Sequence, residues 1–204
     1  LRASAPLIGA LERTEMPADT LVSRIPDILD DLREVQQFFS VWREYTDPKN
    51  RTTFEPVMRA YPVFFDSLVR AHFAGLIVSL YSLYDGDRTT NSLRRLYLEA
   101  SSEGLLAGAV AQTAQRLHLE IEQCWKKVCI LRSNVFGHRS SKISPAEAFQ
   151  KARLTPDELA GMIKISQRLF NCISRALIGS SHMFRVTAKK DIAKLMRNLG
   201  KSAL

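Results

Sequence analysis

The sequence predicts an all-α protein, a single up-down bundle of about five to seven helices, and three observations lead there. Apolar residues recur in steps of three and four along most of the chain. Few segments alternate with period two, as half-buried strands do. Glycine and proline together supply only 17 of the 204 residues, while 46% of the chain is hydrophobic, ample for one core.

Taken in order, residues 1–19, with Pro6, Gly9 and Pro17, hold no sustained period and read as an N-terminal arm or short helix. The bundle itself is expected over residues 20–184. Its first helix starts near Thr20, with Pro26 in its first turn and Ile25, Ile28, Leu29, Leu32, Val35, Phe38, Phe39 and Trp42 on one face. The turn residues Asp47, Pro48, Lys49 and Asn50 end it near Tyr45. A second helical stretch runs from about Thr53 to Tyr84, with Pro56 in its first turn and Pro62 kinking or restarting it. Its uncharged run, Ala71 to Tyr84, is 14 residues, short of a bilayer span, and predicts a core helix with no membrane role.

Asp85-Gly86-Asp87 closes that stretch as a plain turn, since a calcium loop of this start lacks its final glutamate. Ser92 is placed to cap a short helix through Glu99, and Ser101-Ser102-Glu103-Gly104 is a break. Then comes the longest helix, whose stripe is Leu106, Val110, Ala114, Leu117, Ile121, Cys124, Val128, Leu131 and Val135. Ser144-Pro145-Ala146-Glu147 and Thr155-Pro156-Asp157-Glu158 are capping boxes with proline at the first helical position. The second opens a helix with Leu159, Met162, Ile163, Leu169, Phe170, Ile173 and Leu177 inward. Residues 158–168 faintly match a helix-turn-helix, but Lys164 occupies the turn position and the stripe runs through it, favouring one helix. Residues 185–204 form a basic amphipathic helix or tail, with Arg185, Lys189, Lys190, Lys194, Arg197 and Lys201.

Charge is unevenly placed. Residues 1–66 carry 8 basic against 11 acidic side chains, and residues 67–204 carry 21 against 10, for the net +8. The basic half fits a polyanionic partner and equally a solvated surface. Cys124, Cys129 and Cys172 have no CxxC spacing and read as buried thiols of a reducing cytoplasm. No glycine-rich phosphate loop, nucleophile elbow or metal-spaced His/Glu pair is present, so no cofactor and no metal are expected.

The run Leu131-Arg132-Ser133-Asn134-Val135-Phe136-Gly137-His138-Arg139-Ser140-Ser141 ends the longest helix with an arginine, a histidine and a glycine. In an unbroken helix a net rotation of about 240° separates Arg132 from His138, so the two point apart and converge only if the helix ends or tightens between them. Gly137 is expected to end it in the left-handed C′ conformation. Arg-then-His at this range of spacings arises by chance roughly once in such a chain, and Arg175 to His182 is a second instance. Arg132 and His138 have a bland reading too, as groups that satisfy helix carbonyls and the helix dipole.

This run resembles the Arg-x(4–6)-His motif of the HEPN superfamily, in the form it takes in abortive-infection type U (AbiU-like) proteins. The segment Ser79 to Leu96, a helix ending in an aspartate-containing turn before Ser92-Leu93, is similar to the same branch. Ser133 stands where a polar Asn or Asp often follows the arginine, and Ser140 where an acidic residue is frequent. The resemblance implies a HEPN-like bundle, and a metal-independent endoribonuclease acting as a toxin or phage-defence effector. It also implies a homodimer, with two motifs facing across an interface made through the motif-bearing helix. A protein antitoxin is an associated possibility.

The chemistry of such residues fits. Histidine can transfer protons near neutrality, and a guanidinium suits the charge that builds on phosphorus. His138 is therefore expected as general acid or base, Arg132 as transition-state stabiliser and Asn134 as an orienting group, leaving a 2′,3′-cyclic phosphate. Lys126, Lys127, Arg139 and Lys142 are the expected RNA contacts, in a stretch, residues 124–153, with seven basic side chains against Glu147 alone. The alternative is a non-catalytic HEPN-like module that binds RNA or protein.

Overall fold

The computed structural model describes residues 17–87, 89–137, 142–185 and 188–202. Nine α-helical segments are present among them: α1 (Pro17–Ser23), α2 (Ile25–Thr46), α3 (Arg51–Ala60), α4 (Pro62–Leu83), α5 (Leu93–Ser102), α6 (Gly108–Leu131), α7 (Pro145–Ala152), α8 (Pro156–Ile178) and α9 (Ala188–Ser202). The all-α expectation holds. The larger count comes from restarts at Ile25 and Pro62, which divide two expected helices. Pro62 sits at the first turn of α4, where its missing N–H costs nothing, whereas Pro56 lies in the middle of α3 and not in a first turn.

α2 packs along α4 and α8, and α6 packs along α8 and against α4. The long helices enclose one core of Ile28, Leu32, Val35, Leu76, Leu80, Leu117, Ile121, Val128, Leu131, Leu169 and Phe170. The predicted stripe of α6 faces it, except that Leu106 precedes the helix and Val110 stays exposed. A second, smaller cluster joins Tyr45, Phe54, Val57 and Phe65 to Ile192 and Met196 of α9. The basic C-terminal helix is thereby docked on α2 and α3 by its apolar side.

Local chemistry fixes the junctions. Both predicted capping boxes form, at Ser144 and at Thr155, and α8 is continuous, so no helix-turn-helix exists there. Ser92 is fully buried. Its hydroxyl caps α5 by accepting from the Arg95 N–H and donates to the Asp85 carbonyl at 2.9 Å. At the α1–α2 break, Arg24 donates to Asn91 at 2.8 Å and to Glu99 at 2.5 Å, tying the N-terminal helices to α5. Thin packing separates α4 from α2: a Cβ on Gly75 would sit 2.8 Å from the Phe38 ring.

α4 corrects one expectation. Asp66 and Arg70 are the only Asp, Glu, Lys or Arg in its 22 residues, so by length and composition alone it is long and apolar enough to cross a membrane. Counting only the uncharged run missed this. Phe65, Leu76, Ile77, Leu80 and Leu83 are buried in the bundle, while Val63, Phe64 and Val78 are exposed.

Tyr84, fully buried just past α4, donates to Ser166 Oγ at 2.5 Å, and Ser166 donates on to the Met162 carbonyl at 2.7 Å. Burial pushes the Tyr84 hydroxyl far above its ordinary range, so it remains a donor. Tyr84→Phe removes that donor and leaves Ser166 half-satisfied. The expected cost is about 1 kcal/mol, read as a fall in melting temperature of roughly 2–4 °C for a chain of this size. An unchanged melting temperature would show that the bond contributes nothing net.

Candidate functional site: an arginine held at a π-helical end

α6 does not stop at Leu131. Its last turn widens into a π-helical segment, Arg132–Phe136, closed by the Gly137 N–H donating to the Arg132 carbonyl five residues back at 2.6 Å. The expected left-handed glycine is therefore corrected: Gly137 is right-handed, with φ −91° and ψ −56°. The glycine is needed for a different reason. A Cβ there would lie 2.7 Å from Arg132 Nη1 and 2.8 Å from the Arg132 carbonyl oxygen, so the missing side chain makes room for the guanidinium itself.

The other support of that guanidinium is aromatic. Arg132 Cζ lies 4.8 Å from the centre of the Tyr81 ring, on the last turn of α4. No carboxylate of the described residues is within ion-pair distance of Arg132, in contrast to Arg24, Arg59, Arg70, Arg94, Arg95 and Arg116. Its charge is positioned and, among the described residues, not neutralised. The π segment is fixed on its other side by Phe136, which meets Phe73 of α4 and Phe149 of α7 edge-on.

The remaining expected site residues fall into distinct groups. Asn134 donates from Nδ2 to the Ile130 carbonyl at 2.7 Å, so its amide serves the irregular helix end. Lys126 is exposed on α6 and makes no ion pair with a described residue, whereas Lys127 pairs with Glu158 at 2.5 Å and also donates to the Arg153 carbonyl, bracing α6 against α8. Lys142 is exposed in the following loop. His138 and Arg139 lie outside the described residues.

The second Arg–His instance is structural. His182 sits beyond α8, its backbone bonded both ways to the Asn171 amide and its Nε2 3.0 Å from Ser174 Oγ, while Arg175 donates to Ser181. His72 places Nδ1 2.8 Å from the Leu68 carbonyl of its own helix. His118 packs at a tilt against the Tyr97 ring, 4.5 Å between centroids, and burial lowers its pKa, against the raising pull of Glu122. Fourteen residues of helix also put it about 20 Å from Arg132.

The family model for AbiU2, a HEPN family, matches residues 22–196. That span covers most of the bundle and includes both Arg132 and His138. The chain belongs to the AbiU2 family of HEPN proteins. No curated protein and no solved structure matches it.

Beside the AbiU2-type motif runs a feature that sequence reading did not assemble. Tyr81 stacks on Trp125 at 6.3 Å and 23°, and Arg94 Cζ lies 5.1 Å over the Trp125 ring. The signal was present in the spacing of Trp125 and Arg132, seven residues apart and thus on one face of α6. Their common partner on α4 was not visible from spacing. Cys129 shares this face, and burial pushes its thiol up to about 11, which leaves it a packing group and not a nucleophile.

Two outcomes check this geometry. Gly137→Ala forces the Arg132 side chain or backbone to move and should destabilise the protein by about 1–3 kcal/mol in urea unfolding; a neutral result would mean that the guanidinium does not rest there. Cys129, with its pKa raised from 9.0 to about 11, should alkylate at pH 8 roughly a hundredfold more slowly than a free thiol, since only the thiolate reacts. Labelling at the free-thiol rate would place Cys129 in water.

Proposed function

We propose that this AbiU2-family chain is a metal-independent endoribonuclease serving abortive infection, as a toxin or phage-defence effector in the bacterial cytoplasm. The observation that carries the reading is the Arg132 guanidinium, held against Tyr81 and over Gly137 with no carboxylate of the described residues to neutralise it. A planar fork kept free of a counter-charge suits phosphoryl oxygens.

In the reaction, a base takes the proton from the ribose 2′-hydroxyl, and that oxygen attacks phosphorus. The bond to the 5′-oxygen breaks, and an acid protonates the leaving oxygen, giving a 2′,3′-cyclic phosphate and a 5′-hydroxyl end. Arg132 stabilises the charge on the phosphoryl oxygens and His138 supplies a proton transfer. Asn134 acts by shaping the π segment. Lys126 and Lys142, both exposed, and Arg139 of the same basic stretch of sequence are the further RNA contacts of this reading.

Two proton transfers ask for two groups. Of the four histidines in the sequence, His72 and His182 are engaged by their own neighbourhoods and His118 is about 20 Å along α6 from Arg132. A symmetric homodimer through the motif-bearing helix supplies the second His138. Exposed apolar residues near that end, Val78 of α4 and Phe149 of α7, are compatible with such a contact. An antitoxin protein is a further expected partner.

One observation favours a second reading. With Ser133 at the position after the arginine and the Asn134 Nδ2 engaged by the Ile130 carbonyl, the group that follows Arg132 is a short hydroxyl in place of an amide or carboxylate, which fits a non-catalytic HEPN module that binds RNA or protein. The experiment that separates the two is cleavage of single-stranded RNA by nuclease-free protein in EDTA. The nuclease reading expects 2′,3′-cyclic phosphate ends, unaffected by EDTA, and a loss of at least a hundredfold in His138→Ala. Cleavage by His138→Ala at the wild-type rate sinks it.

A further inference from the structure

Arg132 is one end of a longer row. Trp125 and Arg132 lie two turns apart on one face of α6, about 10 Å along the axis. Tyr81 of α4 stacks with Trp125 at 6.3 Å and carries the Arg132 guanidinium at 4.8 Å, which leaves its ring between the two. Beyond Trp125 comes Arg94, from the first turn of α5, 5.1 Å over the indole. Three helices thus contribute to a strip that reads Arg94, Trp125, Tyr81, Arg132.

None of the four is sealed in the core. Both rings are half-buried, and the Arg94 side chain keeps 27% of its surface in water. Lys126, next to Trp125, is exposed at the rim. Among the described residues, the acidic side chain that pairs with a cation of the strip is Glu122, 3.3 Å from Arg94. Gly86 lies beside Arg94: a Cβ built there would reach ordinary contact with Arg94 Nη1, at 4.0 Å.

From this row we infer a binding track for single-stranded RNA that leads to Arg132, with Arg94 as its distal phosphate contact and Trp125 and Tyr81 as the aromatic surface between. The inference rests on the ribonuclease reading for its endpoint but not for its binding. A pair of aromatic rings flanked by a cation at each end suits a flexible strand, because unpaired bases can pack on exposed ring surface while the backbone passes the charges. A duplex keeps its bases stacked inward and offers such a strip phosphates alone. Glu122 is the internal competitor, an anion holding Arg94 where a phosphate would sit.

Two variants test the track, both made in the His138→Ala protein so that the probe survives. The probe is a fluorescently end-labelled single-stranded oligoribonucleotide of mixed sequence, titrated by anisotropy between 50 and 200 mM salt, roughly the range over which phosphate contacts are lost. Arg94→Gln should weaken binding about tenfold and reduce the salt slope by about one, as loss of one phosphate contact does. Glu122→Gln should tighten binding several-fold, an effect that a purely structural ion pair does not produce. An RNA duplex of the same length should bind more weakly than the single strand and respond little to Arg94→Gln.

Binding unchanged within twofold in Arg94→Gln, with its melting temperature preserved, overturns the track, as does weaker binding in Glu122→Gln. Equal loss on duplex and single strand overturns the single-strand assignment. Absence of any RNA binding by the His138→Ala protein overturns it too, whatever the wild type cleaves. If the variants behave as expected while the wild-type protein cleaves nothing, the track stands and the nuclease reading falls.

Discussion

The site depends on one cation being held without a carboxylate of the described residues to neutralise it. Most arginines of the described fold are matched to carboxylates, at the α1–α5 junction, along α3 and α4, and on α5 and α6. Arg132 instead rests on an aromatic face and over a glycine. Cation–π attraction orients a guanidinium while leaving its charge available, which an ion pair does not. The arrangement follows from the π segment, because the wider turn carries Gly137 under the Arg132 side chain and closes through a hydrogen bond to the Arg132 carbonyl.

That segment is in turn over-determined by the fold. Leu131 is buried at its start, Phe136 is gripped by Phe73 and Phe149 at its end, and Asn134 satisfies the Ile130 carbonyl between them. An irregular helix end survives only where its backbone groups are paired and its side chains packed. The bundle core supplies the rigid part: α4 presents Tyr81 because Ile77, Leu80 and Leu83 fix its register inward, and α6 presents Trp125 because Ile121 and Val128 do the same.

Much of this was legible in the sequence. The four-and-three stripe of α6, the capping boxes at Ser144 and Thr155 and the Ser92 cap are local signals, and each forms as the residues dictate. Membership of the HEPN group was readable from Arg132 and His138 together with the Asp85-to-Leu93 turn. Long-range partners were not. Lys127 looked like a free cation until Glu158 arrived from 31 residues away, and nothing in the spacing said that Tyr81 would lie between Trp125 and Arg132. Gly137 was singled out correctly but for the wrong reason, because a backbone signal and a side-chain clash select the same residue. The span-like composition of α4 was hidden by Asp66 and Arg70, which fall outside its uncharged run.

If the held guanidinium is what acts on RNA, charge alone will not replace it. Lysine at position 132 keeps the charge but has neither the planar face that stacks on Tyr81 nor the fork that meets two phosphoryl oxygens. The decisive measurement is the single-turnover RNA cleavage rate of Arg132→Lys against wild type, with melting curves showing both folded. A fall of roughly a hundredfold or more, the scale of losing one oriented stabilising group, is the predicted result. Cleavage at the wild-type rate would contradict the account.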